Sequence, residues 1–252
     1  MRFAVLAAAI LAPVMVMATT VPAAAKTYTY EVVVEEWVET GASRFVSTAL
    51  AEAENAAIAS YGPFRVLDGG RAALVGVTDY RSPAQFAAML AAYPGIDTIE
   101  FIECPGTYDD RANLQLGRMI RAAGVAAVVP TGGSVRSGAV ELFLAGASRS
   151  IADGAEFAVH AWLDDRGMGA HDYAADSPEH AKYLAYYREM GMAADEAARF
   201  YAMTNSVPFE DALWLSGEEM RGWIGLDAPE PIRAPHQQLP RLAYLDLEPA
   251  LN

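Results

Sequence analysis

Residues 125–160, VAAVVPTGGSVRSGAVELFLAGASRSIADGAEFAVH, contain the pattern that decides the fold. The apolar run at 125–129 predicts a buried strand, residues 137–145 predict a helix, and residues 156–160 predict a second strand. A glycine-rich turn separates the first strand from the helix. A strand, a helix and a strand in this order are typical of a parallel sheet, because parallel neighbours need a crossover connection.

The same alternation continues on both sides of this stretch. Upstream, the sequence predicts strands at 73–77 and 98–103 and helices at 82–92 and 109–121. Downstream, it predicts helices at 179–190, 194–204 and 216–223. We therefore predict an α/β domain with a mainly parallel sheet and a C-terminal helical segment.

The start of the chain has the composition of a targeting segment. Met1-Arg2 supplies a positive charge, an apolar run follows to about residue 18, and Ala23-Ala24-Ala25 precedes Lys26. A charged start, an apolar middle and a small-residue end are the parts of a secretory signal peptide. We expect residues 1–25 to be removed on export, which places the protein in the periplasm or outside the cell.

The remaining chain divides by composition into three parts. We predict an N-terminal extension at 26–62, with a strand at 28–37 and a helix at 43–60, then the main domain at 63–227 and a proline-rich tail at 228–252. No later run is long and apolar enough to predict a membrane span once the signal peptide is gone.

Composition excludes several classes of function. Hydrophobic residues make up 53% of the 252 residues and charged residues 20%, which is enough for a packed core. Eighteen Lys and Arg against 32 Asp and Glu give a net charge of −14, which repels nucleic acids and anionic lipids. A single cysteine, Cys104, excludes an intramolecular disulfide and cysteine-rich metal centres.

Three turns follow predicted strands, where parallel sheets carry their sites. They hold Cys104-Pro105-Gly106-Thr107, the run 130–138 with Ser137 at a predicted helix start, and His160. Backbone N–H groups at helix starts favour an anion or a developing oxyanion. Taken singly, a Pro-Gly turn, an N-cap serine and a lone histidine are usually structural.

The order of these motifs resembles the ClpP/crotonase superfamily, and in particular the exported ClpP-like proteins of bacteria. Ser137 opens the run SGAVELFLAG and His160 follows 23 residues later. Cys104-Pro105-Gly106-Thr107 stands in the place of the family's Ser-Pro-Gly-Gly turn, and 215–219 (LSGEE) resembles its Leu-(Ser/Thr)-x-Glu-Glu segment. The resemblance covers about residues 71–227 and implies a ClpP/crotonase-like spiral of β-β-α units.

The resemblance also implies roles for individual residues. Ser137 would be the nucleophile, His160 the base, and the backbone N–H groups of Thr107 and Gly138 the oxyanion hole. An acidic or amide residue before the LSGEE segment would orient His160. Asp211 is the candidate, and the alternatives are Glu210 and Asn205.

Two positions depart from the family pattern. Thr107 replaces a glycine where the backbone approaches a substrate, and Arg136 precedes the serine where a small residue is usual. We expect Arg136 either to crowd the cleft or to bind a peptide carboxylate.

The sequence thus predicts an exported serine hydrolase of peptidase type. One alternative is a catalytically degenerate ClpP-like protein that binds or assembles in the periplasm. A second is a Ser/Lys dyad, for which Lys182 is the candidate, although its helix predicts a solvated position. A crotonase-like acyl-CoA enzyme fits poorly with export and with an acidic chain.

We expect no cofactor and no metal. His160, Asp164, Asp165, His171 and Asp172 cluster in sequence, but they lack the His-Glu-x-x-His spacing of a helical metal site. The expected partner is a peptide or protein substrate, with no nucleic acid. The resemblance implies a homo-oligomer.

Overall fold

The computed structural model describes residues 47–226, which contain nine strands and seven α-helices. The strands are β1 (Ala59–Tyr61), β2 (Phe64–Val66), β3 (Arg71–Val75), β4 (Thr98–Cys104), β5 (Ala126–Val129), β6 (Ser134–Arg136), β7 (Arg149–Ile151), β8 (Glu156–Val159) and β9 (Leu213–Ser216). The helices are α1 (Thr48–Ala56), α2 (Ser82–Ala92), α3 (Asp110–Ala122), α4 (Ala139–Leu144), α5 (Pro178–Glu189), α6 (Ala194–Thr204) and α7 (Gly217–Ile224).

The strands form one branched sheet that is parallel in its centre. Its main path runs β1-β2-β3-β4-β6-β8-β9, and β5 pairs with both β4 and β7. The pairs β3–β4, β4–β5, β4–β6, β5–β7 and β6–β8 are parallel, whereas the pairs at the two edges are antiparallel. The predicted α/β class with a mainly parallel sheet is confirmed.

The branch at β4 produces the spiral of short strands. The first half of β4 pairs with β5, and its last residues, Glu103 and Cys104, pair with Ser134 and Val135 of β6. After α4 the chain repeats the pattern, because β7 adds to β5 and β8 adds to β6. Each repeat therefore contains two short strands followed by a helix, which is the β-β-α unit that the resemblance implies.

Helix α4 is held in the middle of the core. All six of its residues are buried, and the Phe143 ring packs edge-on against Phe101 and Phe157, with centroids 5.8 and 5.5 Å away. Burying one such aromatic side chain stabilises the fold by about 1.5–3 kcal/mol. The turn that precedes α4 is therefore fixed by the core packing.

The structure differs from the sequence-based prediction mainly in short elements. Helices α2 and α6 have their predicted bounds, 82–92 and 194–204. The sequence pattern did not predict the strands β6, β7 and β9, because segments of three or four residues are too short to show an alternation of apolar and polar residues. The predicted helix at 43–60 is wrong in its second part, since α1 ends at Ala56 and β1 begins at Ala59.

Several predicted segments lie outside the described residues. They are the signal peptide at 1–25, the strand at 28–37 and the tail at 228–252. Strand β1, which the predicted boundary at 62 assigns to the N-terminal extension, is hydrogen-bonded to β2 of the main sheet. Within residues 47–226 no helix has the length and apolarity needed to cross a membrane.

The LSGEE segment has a structural role in this fold. Ser216 caps α7, its hydroxyl oxygen accepts a hydrogen bond from Glu219 N at 3.2 Å, and the Glu219 carboxylate accepts one from Ser216 N at 2.7 Å. This reciprocal capping box stabilises the start of the helix.

Candidate active site

Ser137 occupies a strained turn between β6 and α4. Its φ angle is 49°, the one positive φ among the non-glycine residues that the structure describes. Ser137 N donates to Ala158 O at 2.8 Å, and Ser137 O accepts from Val140 N at 2.9 Å. A left-handed conformation of this kind costs about 1–3 kcal/mol and persists where the surroundings enforce it, often at functional sites. The predicted helix start at Ser137 is therefore wrong by two residues, because this conformation delays the helix to Ala139.

The Cys104–Thr107 turn lies directly against Ser137. Gly106 has a φ of +130°, and a Cβ added to it would lie 2.9 Å from Ser137 Cβ and 3.3 Å from Ser137 Oγ. A Cβ added to Gly138 would lie 2.5 Å from Thr107 Cγ2. Both glycines are required for the close approach of the two turns.

Two backbone N–H groups at this contact lack acceptors. Thr78 N donates to Gly106 O at 3.0 Å and Tyr108 N donates to Thr78 O at 2.9 Å, so the intervening Thr107 N–H points away from Thr78. Among residues 47–226 neither Thr107 N–H nor Gly138 N–H has a hydrogen-bond acceptor. Free N–H donors beside a hydroxyl are suited to stabilise an oxyanion that forms on a carbonyl it attacks.

A buried hydrogen-bond network behind the turns went unpredicted. Thr78 Oγ1 donates to Asn113 Oδ1 at 2.9 Å, and Asn113 Nδ2 donates to Gly138 O at 2.6 Å. Thr107 Oγ1 donates to Thr78 O at 3.2 Å. Thr78 and Asn113 are 1% and 2% exposed. No sequence motif links these residues, since they are distant in the chain and meet only in the fold.

His160 follows β8 and lines the same cavity as Ser137. Its Nδ1 lies 2.9 Å from Ala161 O, and because a carbonyl only accepts, Nδ1 carries the proton and Nε2 is the basic nitrogen. The Phe209 ring packs edge-on against the imidazole, with centroids 4.9 Å apart. Ser137 and His160 are not hydrogen-bonded to each other. Catalytic hydrogen bonds are often long in ligand-free enzymes.

The three candidates for the residue that orients His160 lie in different environments. Asp211 and Glu210 are exposed and do not line the cavity. Asn205 is 7% exposed and lines the cavity, and its Nδ2 donates to Tyr201 O at 2.8 Å. None of the three is hydrogen-bonded to His160. Asp211 stays a prediction, and Asn205 is the alternative that shares a cavity with the imidazole.

The cavity has a volume of about 620 Å³ and extends beyond the two turns. Its walls include aromatic side chains from three elements, namely Trp162, Tyr183, Tyr187 and Tyr201. Glu141, in the first turn of α4, also lines it. Burial raises the pKa of the Glu141 carboxyl to about 7.

The side chains of two cationic residues singled out in the sequence are not hydrogen-bonded to Ser137. Arg136 is hydrogen-bonded to Glu103 and Ser134 and is absent from the cavity wall, so the expectation that it crowds the cleft or binds a peptide carboxylate is wrong. The ion pair across β4 and β6 explains why. Lys182 is exposed, and its ammonium lies 4.8 Å from the Tyr183 ring centroid and 5.5 Å from that of Trp162.

The acidic and histidine-rich loop after His160 is organised by hydrogen bonds. Asp164 accepts from Tyr173, from Arg166 and from Met168 N, and these contacts lower the pKa of its carboxyl. Within the described ranges no three His, Cys, Asp or Glu side chains are placed to hold a metal ion.

The comparisons with known proteins find similar folds. No family model and no curated protein matches the chain. A mutant of the membrane-bound stomatin-specific protease 1510-N is 17% identical, with a TM-score of 0.42 over 63% of this chain and 76% of that chain. A ClpP1 mutant from Listeria monocytogenes is 15% identical, with a TM-score of 0.42 over 62% and 88% of the two chains. The ClpP catalytic domain from Plasmodium falciparum is 12% identical, with a TM-score of 0.45 over 66% and 87%.

These likenesses concern the backbone fold alone.

Proposed function

We propose that this protein is an exported serine peptidase with Ser137 as nucleophile and His160 as general base. The observation that carries the proposal is the strained Ser137 turn, which packs against Gly106 and shares one cavity with an imidazole, together with two nearby N–H groups that have no acceptor among residues 47–226. Strain, free donors and a base within one cavity are the parts of an acyl-transfer site.

In the proposed reaction Ser137 Oγ attacks a peptide carbonyl while its proton moves to His160 Nε2. The new oxyanion accepts hydrogen bonds from Thr107 N–H and Gly138 N–H, each worth about 3 kcal/mol in such sites. Collapse of the intermediate breaks the C–N bond, and the imidazolium gives its proton to the leaving amine. Water, deprotonated by the same nitrogen, then releases the acyl group and restores Ser137.

The orientation of His160 has two candidate sources in this proposal. Asp211 is the residue implied by the resemblance, and its replacement by Asn should lower the rate if it moves to the imidazole when substrate binds. Asn205 already lines the cavity. Comparing Asp211→Asn with Asn205→Ala separates them, because only the residue that orients His160 should change kcat without changing the folded state.

We further propose that residues 1–25 direct export, so the enzyme acts in the periplasm or outside the cell, and that it assembles as a homo-oligomer. The Ala-Ala-Ala end before Lys26 supports the first. The resemblance to ClpP-like proteins supports the second. N-terminal sequencing of the exported protein and light scattering of the purified protein test these proposals.

A second candidate function is a ClpP-like binding or assembly protein that has lost its chemistry. The observation in its favour is the missing hydrogen bond between Ser137 and His160, together with the Thr107 side chain where the family has a glycine. Such a protein would bind peptides in the same cavity without forming an acyl-enzyme.

Labelling by a fluorophosphonate distinguishes the two functions. The mature chain, residues 26–252, should be labelled at Ser137 at about pH 8, and Ser137→Ala should abolish labelling. Ser134→Ala is the matched control, because Ser134 is three residues away and buried against Arg136. A folded wild-type protein that is not labelled would refute the peptidase and favour the binding protein.

A further inference from the structure

The cavity continues from Ser137 along α4 to a buried carboxyl group. Glu141 lies four residues after Ser137, in the first turn of α4, and both residues line the cavity. The Glu141 residue is 9% exposed. A side chain that enters the cavity beside Ser137 would therefore share the cavity with this carboxyl.

The Glu141 carboxyl has no cationic partner in the described part of the chain. Its Oε1 accepts a hydrogen bond from the Tyr187 hydroxyl at 2.7 Å, and no salt bridge of Glu141 occurs among residues 47–226. A buried carboxylate without a counter-charge is strongly disfavoured, which is why its pKa is raised to about 7. A cation delivered by a ligand would relieve this cost.

An independent observation points to a donor-bearing ligand. The Asn205 side chain also lines the cavity, and its Oδ1 is buried and has no hydrogen-bond partner among residues 47–226. The Asn205 amide is joined to Thr204 Oγ1 by a 3.2 Å hydrogen bond from Nδ2, which leaves the oxygen as a free acceptor. A buried acceptor left unsatisfied is unfavourable, and an N–H group of a ligand would satisfy it.

The walls near Glu141 suit a cation as well. The rings of Trp162 and Tyr201 lie nearly parallel to that of Tyr183, all three line the cavity, and aromatic faces attract ammonium and guanidinium groups. Lys182 already places its ammonium over Tyr183 at the rim. Asp110, which accepts a hydrogen bond from the Tyr183 hydroxyl, adds a further negative charge to the lining.

We propose that this part of the cavity binds the basic side chain, Lys or Arg, of the peptide residue whose carbonyl Ser137 attacks. Lysine and arginine carry their charge at the end of a long flexible stem, which suits a carboxyl that lines the same cavity as Ser137. The inference rests on the proposed peptidase function and adds its substrate class.

Binding to the inactive Ser137→Ala variant tests the pocket without chemistry. Two short peptides that differ in one residue, lysine against its uncharged isostere norleucine, are titrated calorimetrically, and a second pair compares arginine with citrulline. We expect the charged peptides to bind at least about tenfold more tightly. Adding Glu141→Gln, which keeps an acceptor for Tyr187, should remove this preference.

Control variants keep the result interpretable. Glu156→Gln removes the same charge from an exposed position on β8 outside the cavity and should leave the preference unchanged. Asn205→Leu is a second pocket variant, used if Glu141→Gln does not fold, and should weaken binding of the charged peptides several-fold. Equal affinity for lysine and norleucine peptides, no binding of either, or a preference that survives Glu141→Gln would overturn the proposal.

The experiments distinguish an error in the pocket inference from an error in the proposed peptidase function. If the wild-type protein is labelled by a fluorophosphonate but shows no charge preference, the pocket inference is wrong and the peptidase stands. If the charge preference is present but the protein is not labelled, the pocket inference is correct and the protein is a binding protein.

Discussion

Gly106 and Ser137 are packed so closely that a single methyl group on Gly106 would lie 2.9 Å from Ser137 Cβ. This contact joins two turns that are 31 residues apart and places Gly106, the residue before Thr107, against the Ser137 side chain. It is the part of the site most sensitive to a small change in shape.

Gly106→Ala should therefore lower the rate of fluorophosphonate labelling by about 10²-fold, because the added Cβ forces the oxyanion donor away from Ser137. It should also destabilise the fold by about 1–3 kcal/mol, since φ is +130° at this position. Labelling kinetics and urea unfolding measure the two effects.

Gly124→Ala is the matched control for that change. Gly124 also has a positive φ, +70°, but a Cβ there would have no neighbour within 4 Å. The Gly124→Ala variant should have a lower free energy of unfolding than the wild type, but fluorophosphonate should label it at the same rate. Equal loss of labelling in both variants would show that the Gly106 effect is general instability.

Asn113→Ala should lower both the stability of the fold and the reactivity of Ser137, because Asn113 belongs to the buried hydrogen-bond network next to Ser137. It removes the donor to Gly138 O and the acceptor of the Thr78 hydroxyl, which costs about 1–3 kcal/mol of unfolding free energy. Labelling of Ser137 should slow at the same time, because the turn is no longer held.

A double-mutant cycle with Thr78→Val checks this network. The two changes should be non-additive by about 1 kcal/mol in urea unfolding, since they share one hydrogen bond. Full additivity would mean that Thr78 and Asn113 act independently.

His160→Ala and Lys182→Ala should separate the two possible bases. With His160 as the base, its loss should reduce the acylation rate by at least about 10³-fold, whereas Lys182→Ala should change it little. Single-turnover acylation by an ester substrate gives the rate. The opposite pattern would assign the base to Lys182 and the mechanism to a Ser/Lys dyad.

Glu141 should make stability depend on pH in a direction opposite to that of a salt-bridged carboxylate. Burial raises the pKa of the Glu141 carboxyl from 4.5 to about 7. The hydrogen bond from the Tyr187 hydroxyl acts in the opposite direction, and the nearby Asp110 charge raises the pKa further. Between these values the folded state holds a proton that the unfolded state has lost, so the unfolding free energy falls as pH rises.

The fall should amount to about 3 kcal/mol between about pH 4 and about pH 8 and should be absent in Glu141→Gln. Urea unfolding of both proteins across this range is the measurement. Because other groups titrate in both proteins, the difference between the two curves isolates Glu141. A difference that does not change with pH would contradict the assignment.

The sequence by itself determined the α/β class, the bounds of long helices such as α2 and α6, and the pairing of Ser137 with His160 as candidates. Local signals suffice for the fold class and the helices, because hydrophobic period, helix caps and turn residues act over a few neighbours in the chain. The pairing of Ser137 with His160 came instead from the resemblance of the motif order to the ClpP/crotonase superfamily. The turn at Gly106 was also found from the sequence, since Pro-Gly pairs mark turns wherever they occur.

Only the tertiary structure decided which distant groups meet. Arg136 was expected in the cleft but is paired with Glu103 across two strands, and Asn205, not Asp211, shares the cavity with His160. The Thr78–Asn113–Gly138 network and the environment of Glu141 depend on contacts between residues far apart in the chain. Such contacts are set by the packing of α4 against the branched sheet, and no local pattern encodes them.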